Sequence, residues 1–74
     1  MIHGIYVRNR PKKKWILYST VHSGELALRD QEDALNKAKE EGNDEAEVAI
    51  QTFETSFFIP QYLLEIKKAT VLYN

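Results

Sequence analysis

Residues 30–42, DQEDALNKAKEEG, constrain the fold more than any other stretch of the sequence. Asp30 reads as an N-cap, its carboxylate placed to accept from the free backbone N–H groups of a first helical turn. Glu32 and Asp33 fall at the positive end of the helix dipole, and Lys37 and Lys39 toward its negative end. Gly42 supplies the left-handed residue with which helices commonly stop. The expectation is a three-turn helix with a thin apolar stripe: Ala34, Leu35 and Ala38 share one face, and every other position is polar or charged. Burial yields only about 25 cal/mol per Å² of apolar surface, so a helix with one large apolar side chain is marginal alone in water. It needs a partner, and its two alanines let a flat β-sheet come close.

The flanking sequence supplies strands. Ile2–Arg8 (IHGIYVR) and residues 14–22 (KWILYSTVH) are rich in β-branched and aromatic residues, and the polar tip NRPKK separates them. Proline suits the second position of a turn and asparagine its start, so the expectation is a β-hairpin. Side chains alternate along a strand. Placing His3, Ile5 and Val7 with Trp15, Leu17, Ser19 and Val21 makes one strongly apolar face, assigned to the helix. The opposite face then carries Tyr6, Arg8, Lys14, Ile16 and Tyr18, more apolar than a solvated face requires. Ser23 and Gly24 break the second strand, and residues 25–29 read as a connector. Residues 45–55 alternate well, with Ala46, Val48, Ile50 and Thr52 on one side, and read as a third strand.

The C-terminal third is ambiguous in pattern. Pro60 and the good helix formers over 61–69 point to a short second helix followed by a strand at Thr70–Tyr73. The alternation of Tyr62, Leu64 and Ile66 with Ala69, Val71 and Tyr73 also fits a terminal hairpin about Lys67 and Lys68. That corner lacks Gly or Asn, which favours the helix. The order is thus β-β-α-β followed by a short helix and/or terminal strand. The fold class is α+β: a small single-sheet domain over residues 1–74 with the main helix packed on one sheet face.

A chain of 74 residues buries roughly 60% of its unfolded surface, and one such core supplies about 3–5 kcal/mol net. With no cysteine there is no disulfide framework, so self-association becomes a route to further burial. No signal-peptide layout or long apolar run occurs, and the expectation is a soluble, cytoplasmic protein without membrane contact. Net charge is −1, distributed as +5 over residues 1–24, −7 over 25–54 and +1 beyond. One end of the molecule is basic and another acidic.

No motif names a ligand, cofactor or substrate. His3 and His22 lack a third nitrogen or sulfur ligand for a metal. No nucleophile elbow, phosphate-binding glycine loop or HExxH helix occurs, so the expectation is a non-enzymatic protein without cofactor. One thin helix cannot cover a sheet that is apolar on both sides. The function expected is therefore a small interaction module that binds a protein partner, a second copy of the chain included. The residues expected at that contact are Tyr6, Ile16, Tyr18, Phe53, Phe57, Phe58 and Tyr62. The alternative is single-stranded nucleic-acid binding. In it Arg8, Arg10, Lys12, Lys13 and Lys14 hold phosphates beside Trp15, and the tyrosines of the adjoining face stack bases.

Overall fold

Among the described residues five strands form one antiparallel sheet in the order β4-β2-β1-β3-β5. They are β1 (Ile2–Arg8), β2 (Trp15–Val21), β3 (Glu47–Phe53), β4 (Tyr62–Leu63) and β5 (Thr70–Tyr73). The helix α1 (Gly24–Glu40) packs on one face. The computed structural model describes residues 1–54 and 59–66, and the backbone of 70–73. This is the expected α+β class. The strand at Thr70–Tyr73 falls where the sequence placed it, but it joins β3 at a sheet border. Among the described residues no helix is long and apolar enough to cross a membrane.

The helix is 17 residues long and begins earlier than the sequence reading places it. Its N-cap is Ser23, not Asp30: Ser23 is extended (φ −126°, ψ 151°) and its hydroxyl oxygen accepts from the Leu26 N–H at 3.2 Å. Residues 25–29 are the first turns of α1 and not a connector. Asp30 lies inside the helix, where its carboxylate accepts from the Ser19 hydroxyl of β2 at 2.8 Å. The expected C-terminus holds. Gly42 has φ +87°, its N–H donates to the Lys39 carbonyl, and the Asn43 N–H donates to that of Ala38, both at 2.9 Å. These two bonds are the Schellman pattern, which satisfies carbonyls the helix end leaves free. The earlier start lengthens the buried stripe to Ala27, Gln31, Ala34, Leu35 and Ala38. It meets Ile5 and Val48 of the sheet and Ala46 just before β3, and the small side chains bring the helix backbone near the strands.

The register of the first hairpin differs from expectation in its second half. Ile5 pairs with Ser19 and His3 with Val21, which keeps those odd-numbered residues together. Between Ile5 and Tyr6 the register slips by one, so Tyr6 pairs with Leu17 and Val7 with Ile16. Tyr18 is the extra residue on β2, a β-bulge. Because side chains alternate with period two, one inserted residue moves everything beyond it to the other face. Trp15 and Leu17 therefore leave the helix face, to which the sequence reading assigned them. They join Tyr6, Ala49 and Phe53 in a second cluster on the far side.

The chain's own C-terminal segment covers that second cluster. Leu63 and Ile66 pack against it, and the Tyr6 hydroxyl donates to the Pro60 carbonyl at 2.6 Å. Residues 62–63 are strand β4, pairing with Trp15 and Ile16, and the Leu17 N–H donates to the Gln61 carbonyl at 2.8 Å. Across 59–66 the expected second helix is absent, and the alternative terminal hairpin is not formed either, since β4 pairs with β2 and β5 with β3. The physical reason is backbone satisfaction. β2 would otherwise present an open edge of N–H and C=O groups, and strand addition satisfies them where a helix would not.

Candidate docking groove at the hairpin turn

The β1–β2 connection sets up the site. Lys13 donates its N–H to the Arg10 carbonyl at 3.3 Å, closing a turn with Pro11 second and Lys12 third. Lys12 has φ +73°, the left-handed conformation that the third position of a type II turn demands. Glycine usually occupies that position, because a β-carbon is strained there. The turn projects Arg10, Lys12 and Lys13 into solvent, and all are exposed.

Beside the turn lies an open groove of about 550 Å³. Val7, Ile16 and Tyr62 give it an apolar lining, Asn43 contributes from the loop after α1, and Arg10, Lys13 and Lys14 edge it. Ile16 is 47% exposed and Tyr62 59%. The Lys14 ammonium sits 5.2 Å from the Tyr62 ring centroid, close enough for a cation–π attraction. Among the described residues no carboxylate lines the groove.

Arg8 lines the same groove but is committed inward. Its Nη2 and Nε reach the Glu47 carboxylate at 2.8 and 3.0 Å, and its guanidinium stacks 4.2 Å from the Trp15 ring centroid. Glu47 is buried on β3, so Arg8 supplies the partner that such a carboxylate requires. Arg8 and Trp15 thus form part of the frame beneath the groove.

The structure separates the residues that the sequence groups together. Of the expected partner-contact residues, Ile16, Tyr18 and Tyr62 are exposed, Tyr6 is fully buried and Phe53 is half-buried in the second cluster. Phe57 and Phe58 lie outside the described residues. Of the basic-tip set, Arg10, Lys12, Lys13 and Lys14 are exposed, while Trp15 is buried. Tyr18 lines a separate shallow depression together with Ala34 and Lys37 of the helix and its C-cap residue Glu41. Sequence reading missed Val7 and Asn43 as lining residues and did not connect Tyr62 with the tip. The pairing of β4 with β2 creates that neighbourhood, and no local pattern announces it. His3 bonds Thr52 through Nδ1 at 3.0 Å, and no cluster of metal-ligating side chains occurs among the described residues.

Fold and site together describe a small α+β domain whose sheet is covered by α1 on one face and by residues 59–66 on part of the other, with a basic, apolar-lined groove at the hairpin end. No family model, curated protein or solved structure matches the chain.

Proposed function

We propose that the protein is a small non-enzymatic module, acting in the cytoplasm, that binds a protein partner at the hairpin-end groove. The observation that supports this is the groove's composition: exposed Ile16 and Tyr62 in an apolar lining, edged by Arg10, Lys13 and Lys14. A partner segment with an aliphatic or aromatic anchor between carboxylates complements that arrangement. Desolvated tyrosine and neighbouring apolar side chains provide the binding energy, and edge charges guide the approach.

Single-stranded nucleic acid would use the same cations for phosphates. Stacking successive bases needs a series of free rings. Among the described residues, burial of Tyr6 and Trp15 leaves Tyr62 as the exposed ring of the groove, which supports the protein reading over this one.

The test is an NMR titration of the ¹⁵N-labelled full chain with two probes: a short Leu/Phe peptide flanked by Glu and Asp, and a short oligothymidylate. The expected result is saturable shifts at Ile16, Asn43 and Tyr62 with the peptide, lost in Ile16→Asp. Binding of the oligothymidylate alone, weakening steeply with salt, overturns the reading in favour of nucleic acid. No shift with either probe removes the groove as a site.

A further inference from the structure

The pairing of β4 fixes which of its backbone groups face outward. The Leu17 N–H donates to the Gln61 carbonyl, while Ile16 and Tyr62 stand opposite each other. Antiparallel ladders alternate between pairs that exchange both hydrogen bonds and pairs that exchange none. Ile16 and Tyr62 are therefore a pair of the second kind, and the Tyr62 N–H and C=O point away from β2. That direction is the sheet border, since β4 is the last strand on its side of the order. Among the described residues no strand pairs with that margin. Tyr62 is exposed, and its ring walls the groove opposite Ile16. One residue thus presents an outward backbone donor and acceptor beside an apolar depression edged with cations.

We infer that the groove's partner is an extended segment of a different protein, added to the β4 margin as a short antiparallel strand, with an acidic residue two places before a large apolar one. The inference rests on the reading of the groove as a protein-docking surface, and it names the form and sequence pattern of the occupant. The apolar residue pairs with Tyr62: its N–H donates to the Tyr62 carbonyl, and its carbonyl accepts from the Tyr62 N–H. Residues directly opposite share a face, so its side chain stands beside the Tyr62 ring at the groove. β4 runs toward the hairpin turn, because Tyr62 pairs with Ile16 and Leu63 with Trp15. In an antiparallel strand the residue two places earlier is thus carried toward Lys14 on the same face. Lys14 then lies two strand spacings away, about 10 Å, a gap that lysine and glutamate side chains span together. Among the described residues the groove has no carboxylate of its own to compete for that lysine. The pattern occurs once in the chain itself, at Asp33 and Leu35, inside α1 with Leu35 buried. A second copy cannot supply it without unfolding its helix, which points to another protein.

The experiment titrates the ¹⁵N-labelled full chain with a terminally blocked peptide of the order Thr-Glu-Thr-Leu-Thr. Its comparison peptides are the reversed order, the peptide N-methylated on leucine, and the peptide N-methylated on the threonine before leucine. The expected result is saturable shifts at Ile16 and Tyr62, with amide exchange at Tyr62 slowed at least about tenfold near saturation. Leucine N-methylation removes the donor that faces Tyr62 and is expected to weaken binding at least about tenfold. The threonine N–H points out of the pair, so methylating it changes affinity by less than about threefold. Reversing the order takes the glutamate away from Lys14 and weakens binding by about threefold or more. Shifts that survive leucine N-methylation, with the Tyr62 amide unprotected, overturn strand addition and leave the docking reading standing on side-chain contacts. A reversed peptide that binds equally well overturns the assigned direction. Protection of the Tyr62 amide that grows with protein concentration in the absence of peptide gives the margin to a second copy and overturns the foreign partner. If neither these peptides nor the Leu/Phe peptide flanked by Glu and Asp shifts the groove, both readings fall.

Discussion

Replacing Lys12 with glycine isolates a strain that the fold holds at the tip of its basic turn. Lys12 sits at φ +73°. For a residue with a β-carbon the left-handed region costs roughly 1–2 kcal/mol, and glycine escapes that penalty. Glycine also gives the unfolded chain more freedom, which opposes the gain by about 0.5–1 kcal/mol. The midpoints of the two ranges leave a net stabilisation of about 0.75 kcal/mol for Lys12→Gly. For a small domain with a urea m-value of about 1 kcal/mol per M, the midpoint rises by roughly 0.5–1 M. The melting temperature rises by about 2–8 °C. Lys12→Ala is the control, since it removes the same charge and keeps the β-carbon. Urea unfolding followed by Trp15 fluorescence, with m unchanged, provides the readout. Equal gains in Lys12→Gly and Lys12→Ala would place the effect in charge repulsion among the turn lysines and refute the backbone account. No gain in Lys12→Gly would refute it as well.

Other substitutions probe the remaining supports. Ser23→Ala removes the N-cap oxygen and is expected to destabilise the chain by about 1 kcal/mol, with faster amide exchange at Leu26, whereas Asp30→Ala leaves that amide protected. Gly4→Ala places a β-carbon 2.9 Å from Tyr6 Cε2 and 3.3 Å from Phe53 Cε2. That overpacking destabilises by about 1–3 kcal/mol, read by urea unfolding together with a change in the aromatic near-ultraviolet signal. Tyr6→Phe loses the hydrogen bond to the Pro60 carbonyl, and denaturant unfolding near neutral pH is expected to report a loss of about 0.5–1.5 kcal/mol. Burial also holds the Tyr6 phenol above its ordinary pKa of 10.0. The unfolded chain then releases that proton at lower pH than the folded one, so the native chain loses stability as pH climbs above 10.0. Tyr6→Phe lacks this titration, and its deficit against the native chain, constant below that pH, narrows above it.

Elements with a strong local period were legible in the sequence. β1 and β3 carry alternating β-branched residues, and the structure keeps Ala46, Val48 and Ile50 together on the helix side. Gly42 marked the helix end because the conformation it adopts is one that other residues resist. The helix start was not legible from hydrophobicity, since Leu26 and Leu28 are exposed and Ala27 alone faces the core in that turn. Ser23 and Gly24 then read as a break, although serine before a helix is equally a cap. Nothing in the run ILYST distinguishes an extra residue, so the bulge was invisible and Trp15 and Leu17 were placed on the wrong face. The C-terminal segment shows tertiary context overriding propensity: residues with helical preference took up extended backbone because the β2 edge was open. The candidate groove was half legible, its cations in the turn sequence and its ring in a segment that only long-range pairing brings near.

The strand order fixes a sequence of events during synthesis. The ladder β2-β1-β3 and its helix are complete once Phe53 has emerged, yet both border strands, β4 and β5, are encoded downstream of it. At ribosomal rates of about 5–20 residues per second, the interval until Tyr73 follows lasts roughly 1–4 s. Until residues 59–66 follow, the β2 margin is bare and Trp15 and Tyr6 lack their cover, and the β3 margin stays bare until Thr70–Tyr73 join it. An unpaired strand margin is a template for pairing with another chain, so slower synthesis of residues 54–73 is expected to raise tangling between siblings.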